Sequence, residues 1–263
     1  MNKVTINTLK EMKKKGEKIA CLTAYDAAFS KLLDQVNVDV MLVGDSLGMV
    51  LHGEETTLKV TMNDMIYHSR LVKSASKHAL VVSDMPFMSY ATPAQALGNA
   101  ARLIREGGAE VVKFEGGAPF ADTVSYLNEH DIPVCAHLGL TPQSVHKLGG
   151  YHVQGREKDV ADRILGDAKL LTEAGAAMLV LECVPHQLAA EITRAVAIPV
   201  IGIGAGAQCD GQVLVLYDIL GITDRKLRFS KNFLDSSSSI TEAIANYVSA
   251  VKNGEFPGKE HQF

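Results

Sequence analysis

The sequence predicts a closed barrel of eight parallel strands, most of them followed by a helix. Short β-branched runs alternate with amphipathic segments along the chain. That alternation marks a parallel α/β fold whose strands are covered on both faces. Nearly every run ends in a polar or glycine-rich signature, as expected where strand C-termini meet at the functional rim of a barrel. The length, 263 residues, suits a barrel of about 250 residues. A doubly wound sheet is the competing arrangement, but no GxGxxG turn follows the first strand, which weakens its dinucleotide-binding form.

The elements follow in order. Thr5–Lys15 reads as a short helix closing the bottom of the barrel. The first strand is expected at Ile19–Ala24, and Asp26 then caps a helix with Phe29, Leu32, Leu33 and Val36 on one face. Strands two and three are expected at Val38–Val43 and Ala79–Asp84. Thr92-Pro93-Ala94-Gln95 reads as a capping box with proline at the first helical position. Leu97, Ala101 and Ile104 share a face of that helix, and Gly107-Gly108 stops it. Strands four to six fall at Glu110–Glu115, Pro133–His137 and Met178–Glu182, with a helix from about Lys158 to Gly175 before the sixth. A helix from about Gln187 to Ala197 leads to strands at Pro199–Ile203 and Val213–Leu216. The gap between those two is short, because parallel connections usually need about a dozen residues or more. Either helix seven is vestigial, or Gly211–Leu220 is itself helical and strand eight lies elsewhere. Ser239 caps a last helix, with Glu242 completing the box and Ile240, Ala243, Ile244, Tyr247, Val248 and Val251 on one face. No linker or repeat interrupts the chain, so residues 1–263 read as one domain with two helical add-ons.

Composition narrows the function. Apolar residues make up 47% and charged residues 21%, enough for a large core and against disorder. A net charge of −4 and the absence of tryptophan give no basic footprint or stacking platform for nucleic acid. No apolar run approaches the roughly 18 residues of a membrane span, and the N-terminus lacks the apolar core of a signal peptide. A cytoplasmic protein is the expectation. The four cysteines form no CxxC pair and read as reduced, buried thiols.

The polar strand ends carry the chemistry. They are Asp45-Ser46 after strand two, Asp84, Lys113 and Glu115, His137, Glu182, and Gly202-Ile203-Gly204-Ala205-Gly206. Side-chain alternation puts Val111, Lys113 and Glu115 on one face of strand four, opposite Val112 and Phe114. It puts Met178, Val180 and Glu182 together on strand six. Asp45, Asp84, Glu115 and Glu182 then share one mouth with Lys113 as the one clear cation, and crowded carboxylates raise one another's pKa. A bound divalent cation resolves the conflict, and oxygen ligands favour Mg²⁺. One acid left off the metal can serve as a base. The plainer alternatives are helix caps, ion pairs with Lys or Arg, and a structural Lys113–Glu115 pair. His137 is either a donor to substrate or a satisfied rim histidine. Ser46 can bind an anion or simply belong to the loop.

GDSLGMV at 44–50, DMPFMSYATP at 84–93, VKFEGG at 112–117, HLGLTPQSV at 137–145, LVLECVP at 179–185 and PVIGIGAG at 199–206 closely resemble the ketopantoate hydroxymethyltransferase family. The resemblance runs from about residue 3 to Pro257-Gly258-Lys259-Glu260-His261 and is weakest from Thr223 to Ser239. It implies a (β/α)₈ TIM barrel of the phosphoenolpyruvate/pyruvate type. It implies transfer of a one-carbon unit from 5,10-methylenetetrahydrofolate to 3-methyl-2-oxobutanoate, giving 2-dehydropantoate for pantothenate biosynthesis, with one Mg²⁺ per subunit. By the same resemblance Asp45, Asp84 and Glu115 hold the metal; Asp45, Ser46, Asp84 and Lys113 contact substrate; and Glu182 accepts the proton. The family assembles as a homodecamer. The rivals are a metal-dependent carbon–carbon lyase or phosphonomutase on the same barrel, and a metabolite-binding barrel without catalysis. The Lys-Lys-Cys-Gly-His stretch of isocitrate-type lyases is absent.

Overall fold

The computed structural model describes residues 2–224 and 226–263. Eight parallel strands close into a barrel in sequence order: β1 Ile19–Thr23, β2 Val40–Val43, β3 Leu80–Asp84, β4 Val111–Glu115, β5 Val134–Gly139, β6 Met178–Glu182, β7 Val200–Ile203 and β8 Gly211–Leu214. The helices are α1 Ile6–Lys15, α2 Ala27–Gln35, α3 Leu47–Val50, α4 Met62–Ala75, α5 Pro93–Arg105, α6 Ala121–Glu129, α7 Val145–Leu148, α8 Lys158–Glu173, α9 His186–Ala195, α10 Leu216–Ile219 and α11 Ile240–Lys252. No helix among the described residues is long and apolar enough to cross a membrane.

Strand alternation divides the core in two. Ile19, Cys21, Val40, Leu42, Leu80, Val82, Val111, Cys135, Met178, Val180, Ile201 and Val213 fill the barrel interior. Their neighbours, such as Leu22, Val81, Val112, Phe114 and Leu179, pack outward beneath the helices. Leu9 and Met12 of α1 join the interior cluster, so the N-terminal helix plugs the lower opening as expected. Thr5 caps it, accepting a hydrogen bond from the Thr8 amide at 3.2 Å.

The predicted helix starts are present with one shared variation. Asp26 accepts from the Phe29 amide at 2.9 Å, and Thr92 and Ser239 accept from the Gln95 and Glu242 amides at 3.2 Å each. The returning side chains of Gln95 and Glu242 reach one residue further back than a capping box predicts, to the amides of Ala91 at 3.0 Å and Ser238 at 2.6 Å. On α5 the buried line is Ala96, Ala100 and Leu103 rather than the expected Leu97, Ala101 and Ile104. Leu97 and Ile104 pack at its edge, because the two alanines let the helix approach the sheet closely enough for flanking side chains to reach in.

Of the two alternatives at the eighth strand, the structure takes the one without a full seventh helix among the described residues, with the strand starting earlier than expected. β8 begins at Gly211, two residues before the expected start, and no helix stands between β7 and β8 among the described residues. Gly211 pairs with both Ile19 and Ile201. A Cβ there would lie 2.4 Å from the Ile19 carbonyl oxygen, so only glycine fits the seam where the barrel closes. Asp210 anchors this short connection, accepting from the Val200 amide at 2.8 Å and pairing with Lys13 at 2.7 Å. The helix that covers the closing seam, between β8 and β1, comes from the end of the chain. On α11, Tyr247 sends its hydroxyl to the carbonyls of Cys21 at 2.9 Å and Gln212 at 3.0 Å, spanning β1 and β8 from outside.

Candidate active site

The C-terminal rim gathers Asp45, Asp84, Lys113, Glu115 and His137, all buried, with Glu182 slightly more open. The register explains the gathering. Asp84 pairs with Lys113, Glu115 with His137, and Gly139 with Glu182, and inward alternation turns these side chains into one mouth. β5 runs on to Gly139, so His137 lies within the strand rather than at its end. Gly139 has φ +92°, and a Cβ there would sit 2.2 Å from the Glu182 carbonyl oxygen. Its lack of a side chain lets the β5 exit turn tightly beside Glu182, and Leu140 donates to that carbonyl at 2.8 Å.

Lys113 Nζ lies 2.7 Å from Asp84 Oδ1 and 3.4 Å from His137 Nδ1. The buried ion pair therefore joins β4 to β3, rather than Lys113 to Glu115 on one strand. Burial pulls the Lys113 ammonium down, but Asp84, Glu115 and Asp45 more than offset it and hold the lysine above its ordinary value. Burial, reinforced by the Lys113 charge, pushes His137 well below the usual imidazole range, so the ring is neutral. Lys113 can only donate to Nδ1. That leaves the imidazole proton on Nε2, which faces Glu182 Oε2 at 3.3 Å.

The acids are poised differently. Burial and then the Asp84 charge push Asp45 up to about 7, against the pull of Lys113, Gln143 and Thr57. Burial and then Asp45 drive Glu115 well above the carboxylate range. Burial pushes Glu182 up to about 7, with Lys113 pulling back. Like charges in a poorly solvated mouth hold protons that water would remove. Among the described residues no three His, Cys, Asp or Glu side chains form a ready-made chelate, and Asp84 is turned toward Lys113. Asp45, Asp84 and Glu115 nonetheless offer hard oxygen donors and surplus negative charge, a set that fits a hydrated Mg²⁺-like ion better than a fully protein-caged one.

Ser46 sits half-buried at the head of α3, its Oγ 2.9 Å from the Tyr25 hydroxyl. Two functional side chains escaped the sequence reading. Gln143 Nε2 donates to Asp45 Oδ2 at 2.8 Å and to the Met85 carbonyl at 3.0 Å, and its backbone N–H donates to Glu115 Oε2 at 2.9 Å. The Tyr90 hydroxyl donates to Gln143 Oε1 at 2.5 Å and accepts from the Glu115 amide at 3.4 Å. Both residues stand inside motifs that carry the family resemblance, DMPFMSYATP and HLGLTPQSV. A neutral amide and a phenol in loops carry no spacing signal of their own.

The ketopantoate hydroxymethyltransferase profile matches residues 3–259. The chain belongs to the ketopantoate hydroxymethyltransferase family. The 3-methyl-2-oxobutanoate hydroxymethyltransferase of Nitrosococcus oceani is 60% identical over 98% of this chain and 98% of its own. The enzyme of that name from Methylococcus capsulatus is 55% identical over 99% and 97%. Among solved structures, phosphoenolpyruvate phosphomutase from Streptomyces platensis subsp. rosaceus superposes with a TM-score of 0.62 at 14% identity, covering 82% of each chain. At that identity the likeness concerns the barrel fold. Membership of the ketopantoate hydroxymethyltransferase family makes the chain a transferase of hydroxymethyl groups, and the rim just described is its candidate active site.

Proposed function

We propose that this chain transfers a one-carbon unit from 5,10-methylenetetrahydrofolate to 3-methyl-2-oxobutanoate, yielding 2-dehydropantoate and tetrahydrofolate with uptake of one water. The observation that carries the reading is the pairing at the mouth of a buried carboxyl with pKa about 7, Glu182, with a neutral imidazole 3.3 Å away. A base with a pKa near the working pH is suited to removing a carbon-bound proton. Asp45 and Asp84, with Glu115 directly or through water, would hold Mg²⁺. When bound, the ion supplies Lewis acidity that makes the C3 proton of a 2-keto acid more acidic.

The chain's own groups do the rest. Lys113 sets a fixed positive charge beside the carboxylates, where the carboxylate of a 2-keto acid would lie, and Ser46 offers a hydroxyl at the same rim. Glu182 takes the C3 proton. His137 Nε2–H donates toward the oxygen on which negative charge develops, or toward Glu182 while it is ionised. The resulting enolate carbon attacks the folate methylene as one of its two C–N bonds opens, and water then takes the place of the second nitrogen, leaving a hydroxymethyl group on C3 and releasing tetrahydrofolate. The folate must reach the same rim. A cleft of about 350 Å³ lies between Leu58–Met62 and Pro86–Ser89, the segment that follows Asp84, with Phe87 and Lys59 in its lining. It is the site we assign to folate. The free, buried cysteines suit a reducing compartment, and we place the enzyme in the cytoplasm. Decameric assembly stands as the family's expectation, measurable by light scattering of the purified chain.

The test is deuterium exchange at C3 of 3-methyl-2-oxobutanoate, followed by NMR with Mg²⁺ or with EDTA. Metal-dependent exchange that vanishes in Glu182→Gln supports the reading. No exchange and no 2-dehydropantoate, even with 5,10-methylenetetrahydrofolate supplied, would overturn it.

A further inference from the structure

Gln143 stands where the three candidate metal carboxylates meet, and it touches each of their strands. Its side-chain nitrogen donates to Asp45 Oδ2 after β2 and to the carbonyl of Met85, the residue that follows Asp84 on β3. Its backbone N–H donates to Glu115 Oε2 on β4. Gln143 itself lies in the turn Pro142–Ser144 after β5, so four consecutive strand ends are tied at one buried residue.

The amide has a single workable orientation. Of the two acceptors facing its nitrogen, the Met85 peptide carbonyl never carries a proton to give. A flipped amide would set oxygen against oxygen at Met85, and at Asp45 whenever that carboxyl is ionised. On the other side, the Tyr90 hydroxyl is left free to donate to Oε1 because its own oxygen receives the Glu115 amide. The chain of donors runs from the Glu115 N–H through Tyr90 to Gln143, and back through the Gln143 N–H to the Glu115 carboxylate. Each link has its direction assigned, and the loop is closed.

We propose that Gln143 is the positioning residue of the metal site. It fixes one oxygen of Asp45 and one of Glu115, so that their remaining oxygens are presented to a divalent cation in a set geometry. This rests on the metal reading given above. Residues that hold metal ligands from behind typically contribute 10- to 100-fold in metal affinity or activity. Methionine at 143 has about the right volume but no donor, and keeps only the backbone N–H to Glu115. Asparagine keeps both donors but withdraws them by one methylene.

The experiment is Mn²⁺ binding to the full chain without substrate, by electron paramagnetic resonance, for wild type, Gln143→Met, Gln143→Asn and Tyr90→Phe. Gln143→Met is expected to weaken Mn²⁺ by about 10–100-fold, Gln143→Asn by less, and Tyr90→Phe by no more than about threefold, because the donors survive it. Steady-state rates should separate the same way. Saturating Mg²⁺ is expected to restore much of kcat in Gln143→Met, which a merely misfolded variant would not show. Should Gln143→Met fail to fold, Gln143→Asn decides, and wild-type Mn²⁺ affinity in the folded variant overturns the proposal. Wild type that binds Mn²⁺, alongside unchanged Gln143 variants, defeats the positioning role alone. Wild type that binds no divalent cation defeats the metal reading and this proposal together. Loss of Mn²⁺ in Gln143→Met beside a wild type with no hydroxymethyltransferase activity upholds the positioning role and defeats the functional reading.

Discussion

Removing the charge of Lys113 should expose how the mouth tolerates its acids. In Lys113→Met the 2.7 Å pair with Asp84 is lost, and both side chains are about 5% exposed, so little solvent replaces the missing charge. Breaking a buried pair by deleting one partner typically costs about 3–5 kcal/mol. For a chain of this size each kcal/mol moves Tm by about 2–4 °C, which puts the expected loss at roughly 6–20 °C. The loss should depend on pH with a definite sign. Asp45 titrates near 7 in the folded chain and Glu115 lies well above its ordinary value. The folded state therefore binds protons more tightly than the unfolded state, and stability falls as pH rises from the ordinary carboxylate range through about 7. Lys113 pulls both acids down, so without it the decline should be steeper and extend to higher pH. The assay is thermal denaturation by circular dichroism in EDTA, from pH 5 to 8, for wild type and variant. Equal Tm values at pH 8, or a wild-type pH slope in the variant, would refute the reasoning.

Glu182→Gln should lower kcat by about 10²–10⁴-fold with little loss of Tm, because an amide in that buried position needs no charge solvated; wild-type kcat/KM should rise with pH through about 7 as Glu182 loses its proton, and a flat profile would sink the base assignment. Mg²⁺ added to EDTA-treated protein should raise Tm more at pH 8 than at pH 6, since Asp45 must be ionised to bind it; differential scanning fluorimetry reads the difference, and equal shifts count against carboxylate ligation. Gly211→Ala should cost about 1–3 kcal/mol by overpacking, since its Cβ would meet the Ile19 carbonyl at 2.4 Å; an unchanged Tm would mean that the β1–β8 seam yields more easily than its geometry indicates. Phe87→Ala should raise KM for 5,10-methylenetetrahydrofolate while sparing KM for the keto acid, and a change confined to the keto acid would remove folate from the cavity lined by Phe87.

Much of this was legible in the sequence because strand periodicity is local. The alternation of Val111, Lys113 and Glu115 against Val112 and Phe114 needs only the pleat to set which faces inward, and the structure keeps that division. Helix starts are local too, and Asp26, Thr92 and Ser239 cap as their spacing indicates. Polar strand ends pointed to one rim because parallel strands in a barrel all finish on the same side. What adjacency in sequence does not encode came only from closure. Lys113 pairs with Asp84 across strands instead of Glu115 along its own. β8 opens on a glycine because two neighbouring strands press on it from both sides. The β8–β1 seam is covered by α11, reached from the far end of the chain. Gln143 and Tyr90 matter only through partners on other strands, and a neutral side chain shows its hydrogen bonds when its partners arrive, not before. The sequence by itself determined which residues face the mouth. Tertiary structure decided which of them hold one another, because pairing depends on distances across the barrel that no local pattern specifies.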